Sequence, residues 1–252
     1  MKISIVTVAY NAEKTIADTI RSVAEQDYPD IEYIVIDGGS KDGTVDLCQA
    51  QSEHIHTFVS EPDKGIFDAM NKGVARATGD YVGLLNSDDF YEDSGVISRI
   101  VVQLKKSGAD SVFGDLVIVD PEETDKVVRY YSAKNFNLKR FEKGDMPPHP
   151  TFFVRRDAYD RFGDFKLKYR IVADFDLMLR FLYVHGLSFT YLPEVLIRMR
   201  GGGNSSFGIK NTMNLNAEIK ASLHENGIKS SSLKIYSKYL TKALQLVRRP
   251  GK

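Results

Sequence analysis

The 252-residue sequence has one cysteine, no tryptophan and no excess of charge of either sign. The single cysteine, Cys48, cannot form an intramolecular disulfide, which excludes a disulfide-stapled scaffold and fits a reducing compartment. The 34 basic residues balance the 34 acidic ones, which argues against a nucleic-acid partner bound through bulk charge.

No apolar run is long enough to span a bilayer, and Met1-Lys2 leads straight into a strand-like run, unlike a signal peptide. We therefore expect a cytoplasmic protein, either free or attached peripherally at the inner face of the cytoplasmic membrane.

Two nucleotide-binding fingerprints are also missing. The first predicted strand is not followed by G-x-G-x-x-G, which argues against a dinucleotide-binding domain. The chain has no G-x-x-x-x-G-K-[ST], which excludes a P-loop. Any phosphate group must therefore be bound by other means.

What the sequence does contain is a regular alternation of strand and helix signals in its first half. Apolar and β-branched runs predict strands over 3–8, 31–36, 56–59 and 81–85, and helical spacing predicts helices over 12–26, from about 44, and over 66–77. This alternation is typical of a parallel sheet of the nucleotide-binding type.

The pattern changes after about residue 110. A hairpin is predicted over 111–119 and 126–131, strands over 151–154 and 188–199, and helices over 174–184, 212–225 and 232–247. We therefore divide the chain into a ligand-binding half (1–110), a second half of the same domain (111–206) and a C-terminal helical tail (207–252).

Four polar segments stand where strands of the first half should end: Ala9-Tyr10-Asn11, Asp37-Gly38-Gly39-Ser40, Glu61-Pro62-Asp63-Lys64-Gly65 and Asn86-Ser87-Asp88-Asp89. In a parallel sheet all four converge on one edge, where ligands bind. Asp37 could accept a hydrogen bond from a base N–H, Gly38 permits close approach of a ligand, and Tyr10 would stack on a base or cover the sheet edge. For each residue alone a structural turn explains the sequence better, but the coincidence of four segments predicts one site.

Asp88 and Asp89 are adjacent carboxylates, which repel each other unless a cation is bound. Mg²⁺ or Mn²⁺ held by one or two carboxylates together with substrate phosphates is a common arrangement. The alternative is a solvated acidic turn that caps the next helix.

Three ordered motifs resemble the family-2 glycosyltransferases: SIVTVAYN at 4–11, VIDGGSKDGT at 35–44 and LNSDD at 85–89. The segment SEPDKGIFDAMNKG at 60–73 is similar to the bacterial branch that builds surface polysaccharides. The resemblance covers about residues 1–206 and implies a GT-A fold, a Rossmann-like mixed α/β sheet flanked by helices. In that fold 1–110 is the nucleotide-sugar-binding half and 111–206 the acceptor-binding and catalytic half. The resemblance further implies a nucleotide-diphosphate sugar donor, here expected to be a UDP-sugar, a divalent cation (Mn²⁺ or Mg²⁺), a saccharide or lipid-linked acceptor, and inversion at the anomeric carbon.

Carried over residue by residue, the resemblance assigns donor binding to Ala9, Tyr10, Asn11, Asp37, Gly38, Lys64, Asn86 and Ser87. The Asn86-Ser87-Asp88 segment matches the D-x-D motif of the family, with Asn in the first position. Because Asn adds no charge, metal binding depends on Asp88, helped by Asp89.

Asp174 matches the catalytic base of the family, in the segment Ala173-Asp174-Phe175-Asp176, where Ala173 replaces a glutamate. Inverting transfer needs one base to take the proton from an acceptor hydroxyl. The alternative is that Asp174 caps the following helix. Asp176 would serve structure or acceptor binding.

Three further features are open to two interpretations each. His149 would contact the acceptor or help hold the donor, or would be a structural histidine. Arg200, with the glycines that follow it, would close over the diphosphate, since Arg pairs well with phosphate oxygens; otherwise this is a surface loop. The tail helix would lie on an anionic membrane or pack on its own domain; its basic residues are Lys234, Lys238, Lys242, Arg248 and Arg249.

Two other functions remain open at this point. A sugar-nucleotide pyrophosphorylase also uses a nucleotide-binding α/β sheet and a metal, but it usually has a Gly-rich loop with a basic residue after the first strand, which is missing here. A non-catalytic nucleotide-sugar-binding or scaffold protein is suggested only by Ala173 and Asn86. The presence of both Asp88 and Asp174 argues against it.

Overall fold

The computed structural model describes residues 1–202 and 209–236. The strands in this part of the chain are β1 (Ile3–Ala9), β2 (Ile31–Asp37), β3 (Thr57–Ser60), β4 (Tyr81–Asn86), β5 (Asp89–Tyr91), β6 (Ser111–Val119), β7 (Val127–Tyr131), β8 (Phe153–Arg155) and β9 (Phe189–Arg200). The α-helices are α1 (Ile16–Ala24), α2 (Thr44–Ala50), α3 (Ile66–Val74), α4 (Val96–Ser107), α5 (Asp157–Phe162), α6 (Ala173–Met178), α7 (Ile209–Glu225) and α8 (Ser232–Tyr236). Short 3₁₀ turns cover Ser52–His54, Leu138–Lys143 and His149–Thr151, and a π-helical turn, Leu179–Val184, continues α6.

The strands form one mixed sheet in the order β3-β2-β1-β4-β8-β6-β9-β5. β7 pairs with residues 116–119 of β6. The four strands β1 to β4 are parallel, which confirms the sheet predicted for the first half. β8 is antiparallel to both β4 and β6, and it joins the parallel half to the second half. The predicted hairpin is confirmed as the antiparallel pair β6 and β7.

The parallel strands are apolar along their length because both faces of the sheet are covered. On one face Ile5 of β1 belongs to the same buried cluster as Ile16 and Ile20 of α1. On the other face Val6 packs in a cluster with Met70 of α3. Alternate residues of β1 therefore enter different cores, as the two-residue period of a strand requires.

The helix predicted over 12–26 begins later, at Ile16, because the residues after β1 are bound into the loops of the sheet edge. The helix predicted over 174–184 is the short helix α6 followed by the π-helical turn. The three-residue strand β5 was not expected, because it begins within the acidic pair, at Asp89, and is too short to give a periodic signal.

A sharp curl of the sheet positions the acidic segment. β4 ends at Asn86 and β5 begins at Asp89, so two residues separate them in sequence. Yet β4 lies in the middle of the strand order, whereas β5 lies at its last position and pairs with β9. The sheet must therefore bend back on itself at Ser87 and Asp88, which places this turn at the carboxyl edge of the parallel strands.

The described part of the predicted tail packs on the domain. Ile219 and Leu223 of α7 and Ile235 of α8 are almost fully buried in the larger core cluster. Lys234 pairs with Glu142. Of the basic residues proposed for membrane contact, Lys238, Lys242, Arg248 and Arg249 lie outside the described residues. Among the residues that the structure describes, no helix is both long and apolar enough to cross a membrane.

Candidate active site

The polar segments that follow the parallel strands do meet at one edge. In the strand register Ala9 lies beside Asp37, and Asp37 lies beside Ser60. On the other side of β1, Val8 lies beside Asn86. The convergence predicted from the sequence is therefore present in the fold.

The loops after β1 and β2 are tied together by reciprocal hydrogen bonds. The backbone N–H of Asn11 donates to Ser40 Oγ (2.8 Å), and Asn11 Oδ1 accepts from the backbone N–H of Lys41 (2.9 Å). The backbone N–H of Ala12 donates to Thr44 Oγ1 (2.7 Å). Asn11 has a φ of 50°, a left-handed conformation that Asn tolerates better than most side chains. Ala9, paired with Asp37, and Asn11 thus hold the loops after β1 and β2 together at the sheet edge.

Asp37, the predicted acceptor for a base N–H, is fully buried and makes hydrogen bonds within the protein. Its Oδ2 accepts from the backbone N–H groups of Gly39 and Ser40 (3.0 Å each) and from Ser60 Oγ (2.6 Å). The hydroxyl of Ser40 donates to Oδ1. These contacts show that Asp37 shapes the loop; its contact with a base stays a prediction.

An exposed corner lies above this loop, formed by Tyr10, Gly38 and Asp63. Tyr10 is 64% exposed, which is unusual for a large aromatic side chain. A Cβ added to Gly38 would lie 2.3 Å from Asp63 Oδ2 and 3.4 Å from Tyr10 Cδ2, so a larger residue here would displace the Asp63 carboxylate. An aromatic face, a bare backbone and a carboxylate are the groups that can stack on, approach and hydrogen-bond a base.

Asp63 was not singled out from the sequence, although its segment was. The backbone N–H of Gly65 donates to Asp63 Oδ1 (2.7 Å), which fixes the carboxylate with Oδ2 against Gly38. The adjacent Lys64 is exposed, and its backbone N–H donates to Asp68 Oδ2 (3.0 Å). Its proposed contact with the donor stays a prediction.

The acidic segment holds two adjacent carboxylates whose negative charge Arg200 compensates only in part. Asp89 is fully buried, Asn86 Nδ2 donates to its Oδ2 (3.2 Å), and its Oδ1 has no hydrogen-bond partner in the described part of the chain. Burial and the neighbouring charge of Asp88 raise the pKa of Asp89 well above its usual range. Burial also raises the pKa of Asp88, which is partly exposed beside Ser87.

These two carboxylates fit a divalent cation, because an uncompensated buried carboxylate with a free oxygen is costly without positive charge nearby. Within residues 1–202 and 209–236, no three His, Cys, Asp or Glu side chains lie close enough together to form a metal site alone. A cation at Asp88 would therefore need further oxygens from a bound ligand or water, the usual situation for Mg²⁺ with phosphates.

Arg200 supports the acidic turn from within the protein. Its Nη1 donates to the backbone carbonyl of Asp88 (3.0 Å), and its Nη2 to Asp18 Oδ2 (2.6 Å). The guanidinium lies 5.0 Å from the ring centroid of Phe90. These contacts hold the turn in place. The predicted contact of Arg200 with a diphosphate is not tested, and the rest of the glycine loop, from Gly203, lies outside the described residues.

Asp174 lies in the first turn of α6, where the helix dipole favours a carboxylate. The N-cap position belongs to Val172, so the capping role considered for Asp174 is not observed. The backbone N–H of Phe175 donates to Asp174 Oδ1 (2.7 Å). Burial raises the pKa of Asp174 to about 6. Its charge also contributes to the raised pKa of Tyr131, behind burial and the charge of Asp145, so Tyr131 lies in the same region.

The other two predicted acceptor residues are buried. Asp176 is fully buried and accepts from Arg180 Nε (2.8 Å), an ion pair within α6 and the turn that follows. His149 is 8% exposed, its ring packs edge-on against Phe165 at 5.7 Å, and burial lowers its pKa to about 4, so it is neutral near pH 7. The structure gives Asp176 a structural role. Acceptor contact by either residue stays a prediction.

A sequence model described as glycosyl transferase family 2 matches residues 4–163, more than half of the chain. The chain belongs to this family. An uncharacterized glycosyltransferase of Mycobacterium tuberculosis is 32% identical over 183 residues, which are 71% of this chain and 68% of that protein. TuaG of Bacillus subtilis, whose name assigns it provisionally as a glycosyltransferase of teichuronic acid biosynthesis, is 35% identical over 50% of this chain and 52% of its own.

Among solved structures, TarS 1–349 of S. aureus in complex with UDP-GlcNAc matches with a TM-score of 0.70 at 18% identity. The match covers 88% of this family-2 chain but only 66% of the TarS chain. At this identity the likeness shows the fold, which confirms the GT-A expectation. Membership of the family argues against the pyrophosphorylase alternative.

The family match covers only part of the candidate site. It contains the loops at the edge of the parallel strands and the acidic turn, but it ends at residue 163. Asp174, Asp176 and Arg200 of this family-2 chain lie beyond the matched region.

Proposed function

We propose that the protein is a metal-dependent, inverting glycosyltransferase that moves a sugar from a nucleotide-diphosphate sugar to a saccharide or lipid-linked acceptor in bacterial polysaccharide biosynthesis. The observation that carries this proposal is the sheet edge, where an exposed corner of Tyr10, Gly38 and Asp63 and a turn with two adjacent carboxylates follow parallel strands. Membership of the family supports the reaction type. TuaG, with its provisional assignment to teichuronic acid biosynthesis, supports a polysaccharide pathway.

The corner of Tyr10, Gly38 and Asp63 would hold the base of the donor. Tyr10 is exposed and can stack on a flat ring, and Gly38 leaves its backbone open. Asp63 Oδ2 can accept a hydrogen bond from a base N–H, whereas both oxygens of Asp37 already accept bonds from the loop. A uracil base has such an N–H. The UDP-GlcNAc complex of TarS supports a UDP-sugar donor, because that protein shares the fold.

Asp88 would hold Mn²⁺ or Mg²⁺, with Asp89 behind it adding negative charge. When bound, the cation supplies neutralisation of the charge that develops on the departing diphosphate. Asn86 contributes no charge and donates to Asp89, which fixes that carboxylate. Arg200 keeps the turn in place from the protein side.

Asp174 would act as the general base. It takes the proton from the acceptor hydroxyl while the oxygen attacks the anomeric carbon, so that the nucleotide diphosphate leaves from the opposite face and the configuration inverts. A pKa of about 6 leaves Asp174 ionised near pH 7 but more basic than an ordinary carboxylate, which favours proton transfer at that pH. The partly buried phenol of Tyr131 and the neutral imidazole of His149 would border the acceptor site.

The test is metal-dependent hydrolysis of a panel of nucleotide sugars by the wild type, Asp88→Ala and a control. Asp125→Ala is the control, because Asp125 is exposed at the tip of the β6–β7 hairpin. We expect one nucleotide diphosphate to be released slowly by the wild type and the control, and release to stop with EDTA or Asp88→Ala. The absence of both turnover and Mn²⁺-dependent nucleotide binding in the wild type would contradict the proposal and favour a scaffold.

A further inference from the structure

Polar side chains on one face of α7, and on the residue that follows it, contact the chain on both sides of Asp174. Glu218 and Glu225 contact the segment before Asp174, whereas Ser222 and Asn226 contact Asp176. The four positions recur at helical spacing, which places them on one side. Glu225 accepts from Lys166 Nζ (2.8 Å) and from the hydroxyl of Tyr169 (2.7 Å) at the start of that segment. This face is therefore turned to the loop before α6, with Glu225 at its solvent-exposed end.

The Glu218 carboxylate accepts hydrogen bonds from three consecutive backbone N–H groups of that loop. Its Oε1 accepts from Arg170 (3.2 Å), and its Oε2 accepts from Ile171 (2.9 Å) and Val172 (3.2 Å). Val172 is the N-cap residue of α6, and its apolar side chain cannot accept a hydrogen bond. The first N–H groups of a helix, and those just before it, need partners from elsewhere. A carboxylate from another helix provides them here.

A second set of contacts fixes α6 itself to α7. Asp176 Oδ1 accepts from Ser222 Oγ (2.7 Å) and from Asn226 Nδ2 (3.2 Å), and Oδ2 accepts from Arg180 Nε (2.8 Å). Asp174 thus lies between two anchor points, the amide of Val172 on one side and the carboxylate of Asp176 on the other. Both anchor points depend on α7, which lies outside the region matched by the family model.

We propose that Glu218 is a positioning residue for Asp174, holding the backbone at 170–172 so that the carboxylate of Asp174 meets the acceptor hydroxyl. This inference rests on the proposed role of Asp174 as the base. Displacement of a reacting group by about 1 Å is enough to lower a rate by roughly 100-fold. Glu218 acts on Asp174 through the backbone at 170–172 and does not itself touch the substrate.

Glu218→Gln is the sharpest variant, because it keeps the shape of the side chain but replaces one acceptor oxygen with an NH₂ group facing an N–H. Asn214→Ala is the matched control, since Asn214 is exposed one helical turn earlier on α7. Amide hydrogen exchange at 170–172 is compared with exchange in the rest of α6 and α7, and circular dichroism and urea unfolding show whether each variant is folded. Turnover is measured as kcat and donor KM across a pH series.

In Glu218→Gln we expect exchange at 170–172 to rise by about 10-fold or more, since hydrogen bonds to a charged group are the stronger kind. We expect kcat to fall by about 10- to 100-fold with donor KM within about twofold, and the acidic limb of the rate profile to move to lower pH because Asp174 gains access to water. Asn214→Ala should leave all of these unchanged.

The proposal is overturned if exchange at 170–172 is unchanged in Glu218→Gln. It is also overturned if all amides of α6 and α7 lose protection alike and kcat per folded molecule stays constant, because that is a purely structural effect. Failure of the proposed function appears separately, as a wild type without turnover. In that case the exchange data, and an NMR titration of the Asp174 carboxyl in the wild type and Glu218→Gln, still decide whether Glu218 sets the environment of Asp174.

Discussion

Replacing Asp174 with asparagine should lower activity and raise stability. The loss of activity, about 100- to 10,000-fold in rate, follows from the proposed role of Asp174 as the general base. The gain in stability follows from the burial of its carboxyl group. Its pKa is raised by burial from the ordinary value of 3.8 to about 6. Since each pKa unit corresponds to about 1.4 kcal/mol, ionising Asp174 in the folded protein costs about 3 kcal/mol relative to the unfolded chain.

The pH dependence has a definite sign. Between pH 3.8 and about 6 the folded protein keeps the proton of Asp174 while the unfolded chain releases it. The free energy of unfolding of the wild type therefore falls as the pH rises through this window. Asp174→Asn has no such group, so the difference between the two proteins should grow in favour of the variant by up to about 3 kcal/mol and then stay constant above about pH 6.5. Other titrating groups cancel in the difference.

The assay is urea unfolding of both proteins at half-unit steps from pH 4 to pH 8, together with kcat/KM over the same range. In the wild type kcat/KM should decrease about tenfold per pH unit below the apparent pKa of about 6. Stability curves that stay parallel at every pH would refute the burial argument. Activity of Asp174→Asn close to that of the wild type would refute the role of Asp174 as the base.

Two further predictions concern residues on either side of the site. Asp63→Ala should weaken UDP binding by about tenfold, which is the effect of losing one hydrogen bond to a charged acceptor. In calorimetric titration the variant should also lose the discrimination between UDP and N3-methyl-UDP. Equal discrimination by the wild type and the variant would show that Asp63 does not contact the base. Asp176→Ala should lower the free energy of unfolding by about 3–5 kcal/mol, because it leaves the buried guanidinium of Arg180 without its carboxylate; urea unfolding measures this, and a loss below about 1 kcal/mol would mean that the backbone carbonyls around Arg180 are sufficient partners.

Much of the parallel half could be predicted from the sequence, because its signals are local. The apolar runs of β1, β2 and β4 are buried on both faces, and each is followed by polar residues at the predicted edge. A parallel sheet brings such ends together without any knowledge of side-chain contacts. The convergence of Ala9, Asp37 and Asn86 could therefore be predicted from the sequence.

The remaining features depend on contacts between residues far apart in the chain. Arg200 pairs with Asp18, 182 residues away, a contact that the sequence did not predict; its expected contact with the diphosphate stays a prediction. Glu218 reaches the amide of Val172 across 46 residues, and a glutamate on a helix gives no sign of such a partner. Asp63 lies in a segment that was noted, but only the path of the loop brings it against Gly38. Hydrophobic periodicity predicts helices and strands, but it does not indicate which polar side chains from distant parts of the chain will meet.

The pairing of β5 with β9 has a consequence for how the protein forms during synthesis. Asp89 pairs with Met199, which leaves the ribosome 110 residues later. The nascent chain can complete β1 to β4 and the loops at their ends well before that time, because these contacts lie within the first 90 residues. The acidic turn receives its final support only with β9, so we expect a partly synthesised chain to be unable to activate the donor. Sugar nucleotide would then be spared from hydrolysis until the acceptor half has also folded.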